Sequence, residues 1–138
     1  MSNLSITERQ VRGVVIVDLD GKITLGESNR QLHEAIRGLV AAGKQNIILN
    51  LAKVSAIDSS GLGEIVSAFS TVAAGGGSLK LINLPERVVD LMTITKLYTV
   101  FDIYDSEAEG IEGFEPGNEF ATQPLDPKVA ARAGSSLL

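Results

Sequence analysis

A single α/β domain is the architecture this sequence predicts, with a mixed, mainly parallel sheet and helices chiefly on one face. Three observations point there. Short apolar, β-branched runs alternate with stretches of helical apolar spacing, the pattern of strands joined by crossover helices. Residues 46–51, Asn46-Ile47-Ile48-Leu49-Asn50-Leu51, are nearly continuously apolar, which suits a strand buried on both faces. A length of 138 residues fits one domain and is enough to build a core.

The elements follow in order. Residues 14–19 are rich in valine and isoleucine and read as a strand, separated by Gly13 from a partner strand at 4–11. Asp20-Gly21 reads as a tight turn. Residues 23–26 lead into a helix whose apolar positions Leu32, Ala35, Ile36, Leu39 and Val40 share one face, with Gly43 as its stop. The strand at 46–51 comes next, and residues 54–57 connect it to Asp58-Ser59-Ser60. Leu62, Ile65, Val66, Phe69 and Val72 then give a second helix one apolar stripe, ended by Gly75-Gly76-Gly77. Residues 78–82 form a third core strand. Pro85 suits a helix first turn, and Val88, Val89, Leu91, Met92 and Leu97 give that helix its apolar face. Residues 100–104 read as a last strand, and Asp105-Ser106-Glu107 as the start of a short helix. The domain spans 1–113. From Phe114 three of the 4 prolines appear and periodicity is lost, so 114–138 is expected to be a flexible C-terminal tail.

Composition excludes several functions. The chain has 0 Cys, so a disulfide framework, a thiolate metal site and a cysteine nucleophile are all excluded. No run approaches the 18 or more apolar residues of a membrane span, and the start lacks the pattern of a secretory signal. A cytoplasmic protein without membrane insertion is the expectation. Net charge is -5 and no basic run exists, which argues against direct nucleic-acid binding. A protein partner fits better.

Enzyme chemistry finds little support. Gly21-Lys22-Ile23-Thr24-Leu25-Gly26-Glu27-Ser28 has the spacing of a phosphate-binding loop, but Glu27 stands where the lysine is needed. Gly61-Leu62-Gly63 lacks the third glycine of a dinucleotide fingerprint, its place being held by Val66. The two glycines read instead as allowing close packing of a helix start. A serine nucleophile needs a base, and the only imidazole, His33, lies off the main apolar stripe of the first helix. Glu107, Glu109, Glu112 and Glu115 read as a solvated acidic face, not a metal site. The expectation is a non-enzyme with no metal and no cofactor of its own.

The distinctive segment is Ala56-Ile57-Asp58-Ser59-Ser60-Gly61-Leu62-Gly63. It puts two hydroxyls beside a carboxylate at a helix start, where unpaired N–H groups and a partial positive charge are exposed. Residue chemistry leaves two readings. Ser59 or Ser60 caps the helix, or one of them accepts a phosphoryl group. A phosphoserine adds about -1.5 to -2 charges, which the helix start tolerates. One such charge about 5 Å from a like charge on a partner costs roughly 3 kcal/mol at an effective dielectric of 20, or about 100-fold in affinity.

The runs Ile47-Ile48-Leu49-Asn50-Leu51 and Val54-Ser55-Ala56-Ile57-Asp58-Ser59-Ser60-Gly61-Leu62-Gly63 resemble the signature of STAS-domain proteins, in particular the bacterial anti-sigma factor antagonists. Gly76-Gly77-Ser78-Leu79-Lys80-Leu81 and Ile94-Thr95-Lys96-Leu97-Tyr98-Thr99-Val100-Phe101 add to the likeness. The resemblance implies a STAS-like domain. It implies phosphorylation at the residue after the motif aspartate, Ser59, with Ser60 as runner-up. The implied partners are an anti-sigma factor that is itself a serine kinase and a metal-dependent serine phosphatase. The unphosphorylated antagonist binds the kinase and frees a sigma factor. The implied contact surface comprises Asp58, Ser59, Ser60, Gly61 and Leu62, with Thr24 and neighbouring turn residues on its rim. The family often carries Gly-Glu-(Ile/Leu)-Asp after its second strand, where this chain has Gly21-Lys22-Ile23-Thr24. That departure keeps a second expectation open, a structural STAS subunit of a signalling or transporter assembly.

Overall fold

The computed structural model describes residues 4–114. The chain runs β1 (Leu4–Val11), β2 (Val14–Ile23), α1 (Glu27–Ala41), β3 (Asn46–Ile57), α2 (Ser59–Ala74), β4 (Ser78–Ile82), α3 (Glu86–Thr95), a 3-10 turn (Leu97–Thr99), β5 (Asp102–Tyr104) and α4 (Glu107–Glu112). The strands form one sheet in the order β1-β2-β3-β4-β5. Only β1 and β2 pair antiparallel; the other three pairings are parallel. Arg12 and Gly13, both at positive φ, make the two-residue hairpin between Val11 and Val14.

Strand alternation sends side chains to two unequal cores. Val15, Val17, Leu19, Leu49 and Leu81 pack with Leu32 and Ile36 of α1, Leu62 and Ile65 of α2, and Val88 and Met92 of α3. The opposite face carries the smaller cluster of Val14, Ile16, Ile48, Ile82 and Tyr104, covered by Ile111 of α4. Helices are therefore chiefly on one face, as the sequence predicts. The buried Lys80 points to the α4 face, where it pairs with Asp102 at 3.1 Å and stands 4.7 Å from the Phe114 ring centre. Phe114, the first residue of the expected tail, is thus packed on the domain, and the rest of that expectation, 115–138, lies outside the described residues.

Three sequence expectations are corrected. Asp20-Gly21 is not a turn. Both residues lie inside β2, paired to β1 on one side, with a register irregularity against β3 on the other. Pairing on both edges satisfies the backbone there, and glycine accommodates the irregularity. Residues 54–57 are not a connection, because β3 continues through them alongside the end of β2: Gly21 pairs with Val54 and Ile23 with Ile57. Since β4 pairs only with residues 46–50, the ends of β2 and β3 extend beyond it as an arm, which β1 flanks as far as Gly21. Leu97 lies past the end of α3, because Lys96 takes a left-handed conformation at φ 62 and stops the helix. Leu97 still packs against the main core, from the 3-10 turn.

Candidate functional site

The arm formed by β2 and β3 ends at Ile23 and Ile57, and the start of α2 is built directly on that end. Asp58 leaves β3 in an extended conformation, its N–H donating to the Ile23 carbonyl at 3.4 Å. Its carboxylate caps α2: Oδ1 accepts the Gly61 N–H at 2.7 Å. The same oxygen accepts the Ser60 hydroxyl proton at 2.7 Å, and Oδ2 accepts the Leu25 N–H at 3.1 Å. Neither serine is therefore the cap, and the capping alternative passes to the aspartate. Burial pushes the Asp58 carboxyl upward, but the donors Ser60, Gly61 and Leu25 prevail and hold it below its ordinary value.

The two serines differ sharply. Ser60 is half-buried, and its oxygen also accepts from Asn29 Nδ2 at 3.1 Å. Its hydroxyl thus bridges α1 and the cap. Ser59 is exposed, and its hydroxyl makes no hydrogen bond among the described residues. Gly61 and Leu62, expected on the contact surface, are buried, Leu62 at 2% exposure within the main core. Gly61 is glycine for want of room: a Cβ there would collide with the Ile23 carbonyl oxygen and lie 2.8 Å from its carbon. Gly63 has open space around it, so close packing accounts for one glycine of the pair only.

Thr24 is half-buried and immediately precedes Leu25, whose N–H meets the capping carboxylate. The Thr24 N–H donates to Ser28 Oγ, which donates in turn to the Thr24 carbonyl, each at 3.0 Å. Lys22 is exposed at the end of β2, paired in register with Ala56. His33 bonds Glu64 across α1 and α2, Nδ1 to Oε2 at 3.1 Å, and so ties the two helices flanking the serines. Ser60 gives its proton to a carboxylate, and no imidazole is bonded to either serine among the described residues. Sequence reasoning did not single out Leu25, Ser28 or Asn29. A serine two places into a helix, preceded by Thr24, was the available signal for Ser28. Nothing local announces the other two, because their partners lie 33 and 31 residues away.

A second polar cluster occupies the opposite sheet face. Arg9 makes a two-pronged pair with Asp18, at 2.6 and 3.0 Å, and reaches Glu107 of α4 at 2.8 Å. Asn50 donates to Asp18 at 2.8 Å. The Arg9 bonds hold the Asp18 carboxyl below its ordinary value, and the two carboxylates raise the Arg9 guanidinium. Glu107, read from sequence as part of a solvated acidic face, is instead an anchor of α4.

A family model described as STAS domain matches residues 5–110. The chain belongs to the STAS domain family. The STAS domain is 34% identical over 110 residues to the anti-sigma-B factor antagonist of Bacillus subtilis, covering 80% of this chain and 99% of that protein. It is 30% identical to the anti-sigma F factor antagonist of Paenibacillus polymyxa, covering 82% and 97%. The fold also matches the Bacillus cell fate determinant SpoIIAA, solved in a phosphorylated form, with a TM-score of 0.62 at 21% identity, covering 80% of this chain and 100% of that one. Among the described residues no helix is long and apolar enough to cross a membrane.

Proposed function

We propose that this STAS domain is an anti-sigma factor antagonist switched by phosphorylation of Ser59. In the unphosphorylated state it binds an anti-sigma factor that is a serine kinase, and so frees a sigma factor. Phosphorylation of Ser59 ends that binding, and a serine phosphatase restores it. The observation that carries the reading is the contrast between adjacent hydroxyls: Ser59 is exposed and unengaged among the described residues, whereas Ser60 is held by Asp58 and Asn29. A kinase reaches the first without dismantling the cap. The relatives named as anti-sigma factor antagonists support the choice of partner.

The switch needs no change of shape. A phosphate on Ser59 stands at the first residue of α2, where the helix dipole favours an anion. Asp58 is already committed to three donors, so it stays in place while the surface gains about -1.5 to -2 charges. A partner pocket matched to the neutral hydroxyl then meets an unpaired anion.

Incubation with the cognate anti-sigma kinase and ATP, followed by mapping of the phosphate by mass spectrometry, tests the assignment. Incorporation confined to Ser59 and lost in Ser59→Ala supports it. Labelling that persists in Ser59→Ala removes Ser59 as the acceptor.

A further inference from the structure

Leu25 is 80% exposed, the most exposed large apolar side chain among the described residues. Its backbone is nonetheless firmly held. The Leu25 N–H is bonded to Asp58 Oδ2 at 3.1 Å. Thr24 before it is bridged through both backbone groups to the buried Ser28. Gly26 after it turns the chain into α1 at φ 112, a conformation that side chains beyond glycine rarely adopt. Polar contacts thus fix the segment on both sides of a leucine whose side chain stands in water.

The same carboxylate that holds Leu25 also caps the helix turn bearing Ser59, so the apolar side chain and the hydroxyl are set relative to one another through one residue. The stretch from Gly21 to Gly26 contains no carboxylate. Besides the exposed Lys22 ammonium, what it offers a partner is the Leu25 side chain, at low ordering cost, since the backbone is fixed before binding.

We infer that Leu25 is the apolar anchor of the docking surface and that its partner is an apolar pocket on the anti-sigma factor, next to the site that receives Ser59. This rests on the function proposed above. Burying one leucine side chain on association corresponds to about 10- to 100-fold in affinity.

The test is a titration of the full chain against the cognate anti-sigma factor by calorimetry, with Leu25→Ala and Leu25→Met. Leu25→Ala is expected to bind about 10- to 100-fold more weakly with an unchanged melting temperature, and Leu25→Met to stay within about threefold of the parent. Parent binding with Leu25→Ala within twofold of it overturns this inference alone. No binding by the unsubstituted chain overturns the functional reading and this inference together. A concentration-dependent dimer in light scattering that Leu25→Ala abolishes assigns the side chain to a second copy and also overturns it.

Discussion

Asp58 and Leu25 are joined by a 3.1 Å hydrogen bond from the leucine N–H to one carboxylate oxygen, while the other oxygen takes Gly61 and Ser60 at 2.7 Å each. A single side chain therefore caps α2, orients Ser60 and fixes the turn that precedes α1. Replacing it by alanine orphans three donors at once. Asp58→Ala is expected to lose about 1–2 kcal/mol of stability in urea titration, and to increase amide exchange at Leu25 and Gly61.

The two glycines of the α2 start are expected to respond in opposite directions. Gly61→Ala forces a methyl into the Ile23 carbonyl and should cost about 3 kcal/mol or more, since rigid backbone is on the receiving side. Gly63→Ala meets open space within the helix and should stabilise by about 0.5–1 kcal/mol. Thermal melts of both variants check the pair.

Adjacent serines should separate stability from modification. Ser60→Ala removes the proton given to Asp58 and strands the Asn29 amide, so it should cost about 1 kcal/mol while still accepting phosphate at Ser59. Ser59→Ala should change stability by less than about 0.5 kcal/mol and abolish phosphorylation. Urea midpoints and intact-mass spectra of the two variants after kinase treatment separate the effects.

Acid should weaken the fold through two carboxylates. Asp18 and Asp58 are both held below their ordinary value of 3.8, Asp18 by Arg9, Asp58 by its hydrogen-bond donors against the opposing effect of burial. The unfolded chain then takes up these protons more readily than the folded one. Their contribution is complete above 3.8 and is lost as pH falls through the folded values. Urea midpoints should drop as pH falls below about 4, and Asp18→Asn should flatten that drop. A midpoint that rises toward low pH would contradict the assignment.

Much of the fold was legible because local chemistry and tertiary packing agree. The apolar stripes of α1 and α2, the stop at Gly75 and the continuous run of β3 all name their own elements. The end of β2 did not, because Asp20-Gly21 has turn chemistry, and only pairing to β1 and β3 overrides it. The site divides along the same line. Asp58, Ser59 and Ser60 were visible as neighbours in sequence, with the right residue types for a helix start. Which of them caps depends on side-chain direction; Leu25 enters only when the ends of β2 and β3 pair, and Asn29 only when α1 meets α2. The inward turn of Leu62 follows from helical phase, since it lies on the same stripe as Ile65.

The most direct measurement compares the affinity of the unmodified chain and of chain stoichiometrically phosphorylated on Ser59 for the same anti-sigma factor. A loss of about 100-fold or more, with the circular dichroism spectrum unchanged, is the expected result. Equal affinity of the two forms would contradict a charge switch at Ser59.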